Sequence, residues 1–159
     1  MTKHFNYWLT GTGWAEIFLT SDKQSIRFEF SYLNDSLADL LGSLCRLIQN
    51  QSNLEKIIFP EEPGQYSLII SKLDKDTIKL ELFDSDEWEQ ISEAYHTPNS
   101  KKLVYSDLDT LKNFGLVVCE GIERLLERHS LSEYKEKWSL SEFPMSKFEE
   151  LRKYLSSFY

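Results

Sequence analysis

The sequence predicts an α+β domain over residues 1–159: an antiparallel sheet of five to six strands, two long helices packed on one face, and a short C-terminal helix. Three observations carry this. Ile26, Phe28, Phe30 and Tyr32 alternate with Arg27, Glu29 and Ser31, the period of two that puts apolar side chains on one face of a strand. Leu37, Leu40, Leu41, Leu44 and Ile48, and later Leu108, Leu111, Gly115, Val118, Ile122 and Leu125, recur at steps of three and four, the stripe of a helix facing a core. The strands are separated by short polar turns, which suit antiparallel neighbours, and no internal repeat or linker divides the chain.

Taken in order, residues 5–9 form a strand and Gly11-Thr12-Gly13 the turn after it. Residues 14–20 are aromatic and β-branched enough for a second strand, and Asp22-Lys23-Gln24 connects it to the alternating third. Asn34, Asp35 and Ser36 then offer cap oxygens for a helix over 35–49, which ends in the polar run 50–53. Residues 54–59 are a strand stopped by Pro60. Glu61-Glu62-Pro63-Gly64 is a turn, because proline presets φ and glycine permits a positive φ. Residues 65–73 and 77–83 flank Asp74-Lys75-Asp76 as the clearest hairpin, with Ile78, Leu80 and Leu82 alternating with Lys79 and Glu81. Residues 84–100 read as a polar, acidic loop with a short helix near Trp88, and 101–105 as one more strand. Ser106 and Asp109 have capping-box spacing for the second long helix, in which Gly121 costs about 1 kcal/mol relative to alanine. Ser130 and Glu133 cap a short helix carrying Tyr134 and Trp138. Ser146 and Glu149 cap a last one with Phe148, Leu151, Leu155 and Phe158 on one face.

At this length about 70% of the unfolded chain's surface is buried on folding, enough for a core without disulfide or metal. The 26 acidic and 18 basic residues leave a net charge of −8, which disfavours nucleic acid as a partner. The excess is uneven: residues 1–80 carry 8 basic and 10 acidic side chains, residues 81–159 carry 10 and 16. Between 81 and 96 stand Glu81, Asp84, Asp86, Glu87, Glu89 and Glu93 with no Lys or Arg. That run reads either as a solvated face or as a docking edge for a basic partner. No apolar run is long enough for a membrane span, and the N-terminal residues lack the apolar region of a signal peptide. With Cys45 and Cys119 in helical patterns and no ligand at metal spacing, a cytoplasmic protein with reduced thiols is expected.

The reactive residues form no recognised constellation. Gly11-Thr12-Gly13 leads into a strand and cannot set a phosphate on a helix N-terminus, and no Gly-x-Ser-x-Gly elbow exists. His4, His96 and His129 lie in three different segments. No cofactor, no metal and no catalytic residue is expected. The enzymatic alternative is acid–base work by Asp35, Asp39, Glu61 and Glu62, which requires two carboxylates aimed at one substrate with their pKa values pushed apart. Asp35 and Asp39 share a helix face, but Asp35 is equally placed to cap that helix.

Gly13-Trp14-Ala15-Glu16-Ile17, the run 31–37 (Ser-Tyr-Leu-Asn-Asp-Ser-Leu) continuing to Asp39-Leu40-Leu41, and Phe59 through Glu62-Pro63-Gly64 resemble motifs of a family of small bacterial proteins of unassigned function. The C-terminal order is similar too: Arg124-Leu125-Leu126, then Tyr134 and Trp138, then Phe143-Pro144 and a final helix. The resemblance spans most of the chain and implies no activity. Small acidic α+β proteins of this kind resemble immunity proteins, which neutralise bacterial toxins, an analogy of fold and size. The expectation is therefore a non-catalytic module that binds a protein partner, basic and toxin-like. Its candidate contact residues are Trp14, Tyr32, Asp35, Glu61, Glu62, Trp88 and Glu89, aromatic anchors and acids that a basic surface would meet. A homo-oligomeric structural or regulatory protein is the alternative, expected to show an apolar patch on the uncovered sheet face.

Overall fold

The computed structural model describes residues 3–86, 101–138 and 141–157. In chain order these form β1 (His4–Gly11), β2 (Trp14–Thr20), β3 (Ser25–Ser31), α1 (Ser36–Ile48), β4 (Leu54–Pro60), β5 (Gln65–Lys72), β6 (Thr77–Ser85), β7 (Lys102–Thr110), α2 (Leu111–Arg128), α3 (Leu131–Trp138) and α4 (Met145–Ser156). The fold is α+β and the strand pairs are antiparallel, as the turns predict.

The expected single sheet is instead two: β1-β2-β3, and β4-β5-β6-β7. The reason lies in β3. Phe30 and Phe28 meet the ring of Phe59 on β4, with centroids 4.8 and 5.4 Å apart; Phe28 meets Tyr66 of β5 at 4.7 Å. Gln24, just before β3, accepts a hydrogen bond from the Ser106 amide of β7 at 2.9 Å. β3 thus contacts the four-stranded sheet from β4 to β7 and packs on it through side chains, so that the two sheets share a core face to face. The carbonyl of Ile58 on β4 accepts from Asn34 Nδ2 (2.9 Å) and Ser36 Oγ (2.6 Å), so side chains occupy the edge where a ladder to β3 would run.

The alternating residues of both sheets form one buried cluster with the apolar stripes of the helices. α2 runs beside β1, α1 beside β4, and α4 touches both helices. Contact between α2 and β1 is close. A Cβ on Gly121 would collide with the carbonyl of Phe5, and Arg124 donates to that carbonyl at 2.9 Å. The propensity cost expected for Gly121 is outweighed by a packing requirement, because alanine would force the helix off the strand.

Other boundaries differ from expectation. β7 continues through Ser106 and Asp109, the expected helix cap, because it pairs with β6 along its length. Thr110 caps α2 instead, its side-chain oxygen accepting from the Asn113 amide at 3.0 Å. Asp107 and Asp109 are drawn to the Lys3 ammonium, at 3.1 and 3.6 Å. Asp35 does cap α1, accepting from the Ala38 amide at 3.5 Å, and Ser130 Oγ accepts from the Glu133 amide at 3.1 Å. α4 begins after Pro144 with no side-chain cap, so Ser146 is inside the helix. The C-terminal region is two helices, α3 and α4, and Phe158 lies outside the described residues. No helix among the described residues is long and apolar enough to cross a membrane.

Candidate functional site

The residues singled out in the sequence fall into two groups, with Trp88 and Glu89, the short helix expected near them and most of the acidic 81–96 run outside the described residues. The first group gathers where β2 begins and β3 ends. Trp14 starts β2 opposite Ser31 and is half-buried. Tyr32 packs against Gly13, so that a Cβ there would sit 2.7 Å from its ring. Asp35 is half-buried at the start of α1. Burial pushes its carboxyl above the usual range, the Ala38 amide opposes the push, and Asp39 adds to it. Near it lie the fully buried tyrosines Tyr7 and Tyr134: burial and then Tyr134 raise the Tyr7 hydroxyl far above normal, and burial and then Asp35 raise that of Tyr134, with Tyr7 pulling it back. Neither hydroxyl closes a hydrogen bond of normal geometry. The group is a packed corner around the Asp35 cap.

The second group stands just past the end of β4, three residues beyond Ile58, whose carbonyl Asn34 and Ser36 hold. Glu61 and Glu62 follow β4 in a turn whose Glu62–Pro63 peptide is cis. Gly64 closes the turn at φ +94, and the Glu61 amide donates to the Gly64 carbonyl at 2.9 Å. A side chain at residue 64 would collide with the carbonyl of Ser85, so the turn lies tight on the end of β6. That contact brings Glu61 to Asp84 and Asp86. Burial first, then Asp84 and Asp86, raise the Glu61 carboxyl to about 7, against a hydrogen bond from the Tyr66 hydroxyl that lowers it. Tyr66 in turn rises to about 12, through burial and the two acids beside it.

Chemically this corner places the raised Glu61 carboxyl beside Asp84 and Asp86, with Glu62 exposed in the same turn. The enzymatic alternative calls for at least two of Asp35, Asp39, Glu61 and Glu62 around one pocket, and Asp35 and Asp39 do lie close enough to act on each other. The groups acting most on Asp35 are on α1, Ser141 and Lys147, those acting on Glu61 are Tyr66, Asp84 and Asp86, and the two sets do not overlap. Among the described residues no group of three or more His, Cys, Asp and Glu could hold a metal ion. Both cysteines are buried and free; burial pushes Cys45 to about 11 and Cys119 to about 12, so both stay protonated and unreactive at neutral pH. His129 closes α2, with Nδ1 3.4 Å from Glu133.

Sequence reasoning did not join Glu61 to Tyr66 and Asp84. The signal was present: extending the predicted hairpin register outward from Lys72 opposite Ile78 puts Tyr66 opposite Asp84. Compared with known proteins, the chain matches no family model, no curated protein and no solved structure.

Proposed function

We propose that this chain is a non-catalytic protein-binding module whose docking corner is Glu61, Glu62, Asp84 and Asp86, and that its partner is a basic protein of the kind immunity proteins neutralise. The observation that carries the reading is the raised carboxyl of Glu61, held among like charges on a turn pinned by Gly64. A basic surface docking here would find acids on a rigid strand–turn–strand frame and would be steered to them electrostatically. A cytoplasmic location belongs to the same reading.

Co-expression tests it. A toxin encoded beside the gene should lose its lethality when this chain is present. Glu62→Lys with Asp86→Lys, both exposed positions, should restore lethality in a protein that still folds, and raised salt should slow association. Absence of protection, or protection indifferent to the charge reversal, defeats the proposal.

Self-association has one observation in its favour. By register, Ile69, Phe83, Leu103 and Leu108 share the outer face of the four-stranded sheet, and Leu103 and Leu108 are 46% and 58% exposed. Sedimentation showing only monomer at high concentration removes this reading.

A further inference from the structure

A cavity of about 400 Å³ opens where α1 ends, the β5–β6 turn passes and α2 begins. That volume lies within the range of small-molecule sites, about 300–1,000 Å³. Its floor is apolar, made by Ile48 and by the buried Leu111, and its lining holds three lysines, Lys72, Lys75 and Lys112, against one acid, Asp76. In a chain with net charge −8 such a local excess of ammonium groups runs against the average.

At Lys72 and Lys75 no carboxylate among the described residues takes up the ammonium. Lys72 Nζ donates to the Leu47 carbonyl at 2.8 Å and to Asn50 Oδ1 at 2.6 Å, both neutral oxygens, so the ammonium is held in place with its charge intact. Lys75 forms no hydrogen bond or ion pair among the described residues. The nearby Asp74 carboxylate is occupied by the Asp76 and Thr77 amides at 2.9 and 2.8 Å. The start of α2 is not what makes the site, since the Leu111 amide already donates to the Asp76 carbonyl and the Asn113 amide to Thr110. The cavity thus sets a lipophilic floor beside the Lys72 ammonium, held by neutral oxygens, and the Lys75 ammonium, with Lys112 also in the lining.

We propose that this cavity binds a small organic anion with an apolar body and a carboxylate head, the body on Ile48 and Leu111 and the head between Lys72, Lys75 and Lys112. An apolar floor alone would accept a neutral molecule equally well, and lysines alone would accept an inorganic anion. The combination selects a ligand carrying both parts, and it does not depend on the acidic corner or on the partner proposed for it.

The experiment uses the full chain and three probes: octanoate, octanol and inorganic phosphate. Binding is followed by amide NMR shifts at low salt. Octanoate should move the amides of residues 72–76 and 110–112 and bind at least about tenfold more tightly than octanol or phosphate, a difference of about 1.4 kcal/mol. Lys75→Glu with Lys112→Glu, whose folding is checked by circular dichroism, should lower octanoate affinity at least about tenfold. A single exposed change, Lys75→Glu, serves if the double variant does not fold. Octanol or phosphate matching octanoate overturns the proposal, as do shifts scattered over other lysines or a charge-reversed variant that binds unchanged.

Discussion

The two ends of β5 put carboxylates in opposite situations. At the Gln65 end, Glu61 is half-buried beside Asp84 and Asp86 and its carboxyl rises to about 7. At the Lys72 end, Asp74 is fully exposed and accepts two backbone amides from its own turn, which hold its carboxyl below the usual range. Both residues are acids that open a strand-joining turn, Glu61-Glu62-Pro63-Gly64 in one case and Asp74-Lys75-Asp76 in the other. The difference is in what points at the carboxylate: like charges and a desolvating wall in one, N–H donors in the other. The same contrast extends to the surroundings, with acids gathered at one end and lysines at the other.

The largest change should come from breaking the frame of the acidic end. Gly64→Ala places a Cβ at φ +94 and against the Ser85 carbonyl. It should cost about 3 kcal/mol or more and lower the melting temperature by about 6–12 °C in thermal denaturation. A variant of wild-type stability would mean that the turn is not pressed on β6.

Next is the pH dependence of Glu61. Its folded pKa, about 7, lies above its ordinary value of 4.5. The folded state therefore holds this proton more tightly than the unfolded state does. The associated stability is fully present below about pH 4.5 and is lost as pH rises through about 7. Denaturant melts should show Glu61→Gln gaining on the wild type across that window by about 1–2 kcal/mol, a range already reduced for solvent screening. A constant difference between the two proteins from pH 4 to 8 would assign the crowding at this corner elsewhere. Asp74 has the opposite sign: its contribution is present above the ordinary carboxylate range and falls away as the pH drops through its lowered pKa.

The smallest effect sharpens the basic end. Lys72→Met keeps the apolar stem but loses the bonds to Leu47 and Asn50 near the end of α1. Urea denaturation should show a loss of about 1 kcal/mol. A neutral outcome would mean that Lys72 is as free to move as Lys75.

Much of the secondary structure is legible along the chain because local chemistry writes it. The period of two in residues 26–32, the leucine stripe of α1 and the polar Asp74-Lys75-Asp76 turn each act over a few residues, and the structure places β3, α1 and the β5–β6 hairpin there. The Asp35 and Ser130 caps are local in the same way. Ser106 and Asp109 mislead because their capping spacing competes with pairing to β6, a strand over twenty residues away in sequence. The candidate site was half-legible. Glu61, Glu62 and the Gly64 turn could be picked out one by one, whereas their meeting with Tyr66 and Asp84 required the hairpin register.

Composition and periodicity, acting alone, determine an acidic α+β chain with a large aromatic core, antiparallel strands and two strongly amphipathic helices. Tertiary packing decides the rest: that β3 packs on the second sheet, that Gly121 is needed for contact with Phe5, and that acids and lysines collect at opposite ends of β5. The physical reason is range. A turn or helix stripe is specified by neighbours a few residues apart, while a contact between sheets, a close approach or a shifted carboxyl depends on which distant atoms arrive beside it.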